Sequence, residues 1–169
     1  GLFMGKGWEL LSELPLQEHA EQVASEAVEL RQAPECPQEQ TTVVLDGALM
    51  AHHLLHTTGP LFELDRVLRR ADDQAVFSVE RLGADQVADA RVSIYADAGE
   101  AESAGSMAFD DEGVAAHRVP LMEEGKVAGY LSSRETAARV GLERSSGSVS
   151  SSGWFSAPRV RTSNISLAP

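Results

Sequence analysis

The chain contains one cysteine, Cys36, among 169 residues. No disulfide can close within it, and no cage of thiolates can form around a structural zinc ion. Basic residues are also scarce. Fourteen Lys and Arg stand against 26 Asp and Glu, a formal net charge of −12. So acidic a surface repels phosphate backbones, which argues against nucleic acid as the main partner. No apolar run approaches the roughly 18 residues a membrane-spanning helix needs. The amino end has neither a basic patch nor a signal-type apolar stretch, and these features together point to a cytoplasmic protein. No G-x-G-x-x-G or P-loop pattern occurs, so no nucleotide site is expected.

What is present is ordinary for a globular protein: 43% hydrophobic and 24% charged residues. A chain of this length buries roughly 70% of its unfolded surface, enough for a core. The expectation is one domain over residues 1–169, of mixed α/β (α+β) class. Its first residue is Gly1 rather than Met, compatible with a segment of a longer protein.

Residues 1–14 read as a glycine-punctuated lead-in with apolar anchors at Leu2, Phe3 and Trp8. Leu16 to about Ala33 has helical periodicity, ended by Pro34 and Pro37. Thr41–Leu45 (TTVVL) reads as a buried strand. Asp46 is placed to cap a helix carrying ALMAHHLLHT, interrupted by Gly59-Pro60 and resumed through Leu61, Leu64, Val67 and Leu68, with Arg66, Arg69 and Arg70 outward. Strands are expected at Ala75–Val79 and Arg91–Ala96, and residues 97–106 read as a small, acidic, flexible loop. His117–Met122 and Lys126–Leu131 suggest a hairpin turning at Glu124-Gly125. Ser132 or Ser133 then caps a short helix, with Glu135 near the reciprocal position. Residues 145–153 (SSGSVSSSG) look too small and polar to bury anything, and read as a flexible loop. Trp154–Leu167 returns to strand-like composition.

Three of the five histidines fall within five residues: His52, His53 and His56. On a helix, positions i and i+4 share a face, so His52 and His56 could both ligate one metal ion. The spacing is that of an H-E-x-x-H helix, but His53 replaces the glutamate that would activate a bound water. The alternative is that these imidazoles pack at a helix surface and hydrogen-bond locally. Asp110, Asp111 and Glu112 form a carboxylate cluster that either binds a hard cation or shapes a solvated turn. The serines of 145–152 have no nearby His–Asp pair in sequence, so a linker is favoured over a nucleophile.

Several runs carry a resemblance. Gly105, Ser106, Phe109, Asp110, Asp111, Glu112, Gly113 and Val114 fit a G-S-x-x-F-D-D-E-G-V pattern. Leu121, Gly125, Val127, Tyr130 and Leu131 fit a hairpin L-x-x-G-x-L-x-x-Y-L. Pro158, Arg159, Thr162 or Ser163, Asn164, Leu167 and Pro169 fit a closing P-R-x-T-N-x-x-L-x-P, with slight length differences. Upstream, VVLDGALMAHHLLH followed by ELDRVL fits a strand–helix–E-x-D-x-V segment. Together these resemble the TldD/PmbA family, the TldD–TldE peptidases also called modulators of DNA gyrase.

The resemblance implies a zinc peptidase of two related subunits. One carries an H-E-x-x-x-H helix and a cysteine nearer the carboxyl end as further ligand; the other lacks the metal site. It also implies a strongly bent, largely antiparallel sheet with flanking helices, as the front of a C-terminal domain whose N-terminal companion and remainder are absent here. Aligned through LLH, His56 takes the place of the first ligand, Thr57 stands where the glutamate should be, and Leu61 where the second histidine should be. No cysteine follows Cys36. The expected role is therefore the non-catalytic, TldE-like subunit, with zinc bound not by this chain but by a homologous TldD-like partner. A peptide is the expected substrate, taken by strand addition at the exposed hairpin. The alternatives are an active zinc enzyme with a rearranged His52/His56 site, and a peptide-binding module without catalysis.

Overall fold

The computed structural model describes residues 4–69, 77–84 and 86–168. One domain over 1–169 was expected; contacts gather the chain into two compact units, Lys6–Val44 and the combination of Gly1–Gly5 with Leu45–Pro169. The smaller unit holds α1 (Glu9–Glu13) and α2 (Leu16–Gln32). Pro15 precedes α2 and Ala33 leaves it in an extended conformation, just before Pro34 restricts the backbone. No residue of α1 or α2 is buried, and Trp8, expected as an anchor, is 83% exposed. Leu2 and Phe3 lie outside the described residues.

The expected strand Thr41–Leu45 does not form. Val44 is 94% exposed, and no strand among the described residues pairs with the run. β-Branched residues favour strands by packing on a pleated, half-covered surface, and without that surface the preference has nothing to act on.

The larger unit opens on α3 (Gly47–His53), capped as expected: Asp46 Oδ1 accepts from the Leu49 N–H at 2.7 Å. Gly59-Pro60 does not break the path. Helical backbone continues as a π turn over Leu54–Thr58 and a 3-10 turn over Gly59–Phe62, then α4 (Leu64–Val67). The strand expected at Ala75–Val79 lies partly outside the described residues, and Val79 begins a 3-10 turn, Val79–Arg81.

Strands β1 (Ile94–Asp97), β2 (Arg118–Glu123), β3 (Lys126–Val127) and β6 (Ile165–Leu167) make an open antiparallel sheet in the order β3-β2-β1-β6. The mixed α/β class is as expected. The register slips between Ile94 and Tyr95, which pair with Met122 and Pro120, so Leu121 is an extra residue on β2. Such a bulge bends the strand and increases its twist. The β2–β3 hairpin turns at Glu124 (φ 47°) and Gly125 (φ 76°), two left-handed residues that match the twist of a hairpin. After it, Ser133 caps α5 (Arg134–Val140). The reciprocal partner is Thr136 rather than Glu135, its hydroxyl accepting from the Ser133 N–H at 2.9 Å. A second, two-stranded sheet pairs β4 (Val149–Ser150) with β5 (Arg159–Val160).

The core joins both sheets to the helical run: Phe62, Leu64, Leu121, Leu131, Val149 and Val160 are all essentially inaccessible. Phe62 meets the Phe77 ring edge-on, 5.1 Å between centroids.

The first half of the serine-rich run, expected as a flexible linker, is instead part of the packed interior, while Ser152 and Gly153 are exposed. Ser145, Ser146, Ser148 and Val149 are buried. Small hydroxyls enter a core at least cost when their hydrogen bonds are made there; the Ser146 and Ser148 hydroxyls make theirs, while the Ser145 hydroxyl is buried without a partner. The Ser146 hydroxyl accepts from the Ser132 N–H at 2.8 Å and donates to the Ser132 carbonyl at 2.9 Å, and it meets the Ser148 hydroxyl at 2.5 Å. Composition alone could not reveal the Ser132 partner, because it lies 14 residues upstream.

Candidate functional site

The histidines sit where α3 passes into the π turn. His52, His53 and His56 are all exposed. The His52 and His56 rings are neighbours, 4.5 Å between centroids and tilted by 45°. A π turn takes in one residue more per hydrogen-bonded loop than an α turn and is a recurrent feature of functional helices. Leu54, between the two histidines in sequence, is buried and anchors the helix to the core.

A zinc centre that does chemistry needs three protein ligands and an open position. No group of three His, Cys, Asp or Glu suited to a metal occurs among the described residues. The first acid after the histidines along the chain, Glu63, is engaged elsewhere. It is 4% exposed; its Oε1 accepts from the Thr162 N–H and hydroxyl at 3.2 Å each, and its other oxygen accepts from Arg66 Nε. Leu64 and Leu131 complete the knit, with the Leu64 N–H donating to the Leu131 carbonyl and the Leu131 N–H to the Phe62 carbonyl, both at 2.8 Å. Close packing demands a glycine here: a Cβ on Gly59 would lie 2.5 Å from Thr162 Cγ2. Two imidazoles with Thr57 beside them do not fit a catalytic zinc site.

The carboxylate cluster is a brace. Asp110 is 5% exposed, and its Oδ1 accepts from the Glu112 and Val114 N–H groups at 3.0 and 2.9 Å. Its Oδ2 accepts from the Val149 N–H at 3.2 Å. Asp111 Oδ2 accepts from the Ser151 N–H at 2.6 Å, and Glu112 Oε2 from the Arg134 N–H at 2.7 Å. Each acid holds backbone of a different segment, so the cluster shapes a turn and ties it to β4 and α5.

The hairpin does not offer β3 as a free edge. The Gly83 N–H donates to the Val127 carbonyl, the Val87 and Ala88 N–H groups to the Gly125 carbonyl, and Gln86 bridges to Lys126. The backbone at Gly83 and from Gln86 to Ala88 therefore covers the edge at which strand addition was expected.

Over residues 37–169 the chain matches the profile of the PmbA/TldA metallopeptidase C-terminal domain. The chain belongs to this family. It is 34% identical over 143 residues to a metalloprotease of Methanocaldococcus jannaschii, covering 85% of this chain and 30% of that protein. It is 31% identical over 163 residues to a metalloprotease of Methanothermobacter thermautotrophicus, covering 96% and 34%. The chain thus spans about a third of the length of these curated relatives. Among solved structures, TldE from Thermococcus kodakarensis superposes with a TM-score of 0.56 at 20% identity, over 70% of this chain and 26% of that one. A candidate modulator of a DNA gyrase from Thermotoga maritima superposes with a TM-score of 0.50 at 25% identity, over 65% and 23%. The fold is that of the TldD/TldE proteins, and the domain is metallopeptidase-like. No helix among the described residues is long and apolar enough to cross a membrane.

Proposed function

We propose that this member of the PmbA/TldA family is the non-catalytic, TldE-like subunit of a two-subunit peptidase acting on unfolded or modified peptides. A homologous, TldD-like subunit with an intact zinc motif performs the bond cleavage. The observation that carries the reading is the donor set at the histidine helix. His52 and His56 stand side by side with no third ligand among the described residues, and the next side chain is a threonine. A hydroxyl is no general base near neutral pH, whereas the proton transfers of peptide hydrolysis need one. The packing that gives the domain its shape is intact, which suits a subunit retained for assembly and peptide handling.

Elemental mass spectrometry on protein purified without chelator, alone and co-expressed with its nearest homologue, tests this. The expected result is no stoichiometric zinc in the lone chain and one zinc per pair in a stable complex. A second reading draws support from the contact between the two imidazole rings: an active zinc metallopeptidase with a rearranged His52/His56 site. It requires about one zinc per lone chain and activity lost in His56→Ala. That result would replace the first reading.

A further inference from the structure

In a chain that is strongly acidic overall, three arginines converge on one pocket of about 240 Å3. Arg69 lies just beyond α4, Arg139 in the last turn of α5, and Arg159 on β5. Arg69 is already engaged: its Nε donates to the Asp65 carbonyl at 2.8 Å and its Nη2 to Asp65 Oδ2 at 3.3 Å. Arg139 and Arg159 make no side-chain ion pair or hydrogen bond among the described residues. Asp65 lines the same pocket, and its Oδ1 is buried with no hydrogen-bond partner. Rotation about the terminal carboxylate torsion is soft, so this oxygen can turn toward a donor in the pocket as Oδ2 gives up its long 3.3 Å contact with Arg69.

These groups specify a ligand. Two uncommitted guanidinium forks favour a planar carboxylate, which they can hold with charge-assisted hydrogen bonds. The unsatisfied acceptor calls for an N–H close to that carboxylate. A divalent cation is repelled by the arginines, and a dianionic phosphate by Asp65 and Glu135, both on the pocket wall. The C-terminal residue of a peptide offers the required pair, a monoanionic carboxylate and an amide N–H on one α carbon. The volume is below the 300–1,000 Å3 typical of drug-sized ligands, which suits one terminal residue, with Leu68, Pro158 and Val160 forming an apolar wall for its side chain.

We propose that Arg139 and Arg159 bind the C-terminal carboxylate of a peptide while Asp65 accepts from the amide N–H of its last residue. The site uses neither a metal nor a second subunit, so it stands or falls separately from the pairing described above.

The test is a two-dimensional NMR titration of the chain with N-acetyl-Ala-Ala-Leu as the free acid, as the C-terminal amide, and with inorganic phosphate as competitor. The expected result is saturable shifts centred on α5 and β5 with the free acid, and binding at least about tenfold weaker for the amide, as loss of a charge-assisted hydrogen bond implies. The double variant R139Q/R159Q, with an unchanged melting temperature, should bind acid and amide alike. Equal binding of acid and amide by the native chain would overturn the proposal. So would no binding of the acid up to about 10 mM, the millimolar limit of weak recognition. Displacement by phosphate at equal concentration would also overturn it, by showing a general anion site.

Discussion

Replacing Asp110 with asparagine is the sharpest test of the reading that the acidic cluster is structural. The native carboxylate accepts three backbone N–H bonds, two at Oδ1 and one at Oδ2, in a site almost closed to water. An amide of the same shape has only one accepting oxygen. Turned to serve Glu112 and Val114, it points its NH2 group at the N–H of Val149, a residue with no accessible surface. One buried donor is then left unsatisfied, at a cost of about 1–3 kcal/mol. The two remaining bonds lose their charge assistance, about 1 kcal/mol each. The expected destabilisation is about 3–5 kcal/mol, a large part of the 5–15 kcal/mol that holds a typical domain folded.

For a chain of this size each kcal/mol corresponds to about 2–4 °C of melting temperature, so Asp110→Asn should melt at least about 6 °C lower and unfold at a lower urea concentration. Asp111→Asn provides the contrast. Its bond to Ser151 is exposed, so a loss of no more than about 1 kcal/mol is expected. If the cluster bound a hard cation instead, millimolar Ca2+ would raise the melting temperature of the native chain by mass action. The structural reasoning fails if Asp110→Asn costs less than about 1 kcal/mol, a loss typical of an exposed position, or if Ca2+ stabilises the native protein and not the variant.

Gly125→Ala should be severely destabilising, by more than about 3 kcal/mol, because the new Cβ would lie 2.2 Å from Gln86 Nε2 and 2.3 Å from the Ala88 carbonyl oxygen at a φ of +76°. Gly83→Ala, at a φ of +72° with nothing within 4 Å, isolates the backbone strain and should cost about 1 kcal/mol by urea unfolding. Burial, with the Glu80 charge adding to it, pushes the Tyr130 hydroxyl up to about 12, where it donates to the Ser78 carbonyl at 2.9 Å. The neutral form is favoured in the fold, so the stabilisation is complete below about pH 10, the ordinary tyrosine value, and is lost as pH rises from there through about 12. An ultraviolet titration should show one of the two tyrosines ionising late, and Tyr130→Phe should remove that late step.

What the sequence made legible is what local chemistry decides. Asp46 and Ser133 cap helices through amides three residues ahead, and Gly125 lets a hairpin turn because glycine takes a positive φ without steric cost. The neighbouring imidazoles of His52 and His56 come from helical spacing, which the π turn does not undo. What was hidden depends on partners far along the chain. Ser146 is buried because Ser132 receives its hydroxyl, and Glu63 because Thr162, 99 residues later, supplies two donors. Arg69, Arg139 and Arg159 look like scattered surface cations until the fold brings α5, β5 and the end of α4 to one pocket. Thr41–Leu45 failed in the opposite sense, since its β-propensity was read without a surface to satisfy it.

The residues that carry the family resemblance divide into two sets with separate physical roles. Asp110 ties a turn to β4, Gly125 makes the hairpin, Leu121 and Leu131 fill the core, and Asn164 Nδ2 donates to the Asp97 carbonyl at 3.0 Å. None of these interactions passes through His56 or Thr57, which lie on the π turn. Both side chains are exposed, so changes of side chain there that keep the helical turn leave these packing interactions in place. A family match resting on the first set is strong evidence about architecture and silent about catalysis. His56 and Thr57 form the second set, which bears on chemistry rather than on packing. The match over residues 37–169 thus places the chain in the metallopeptidase family by the residues that build its architecture.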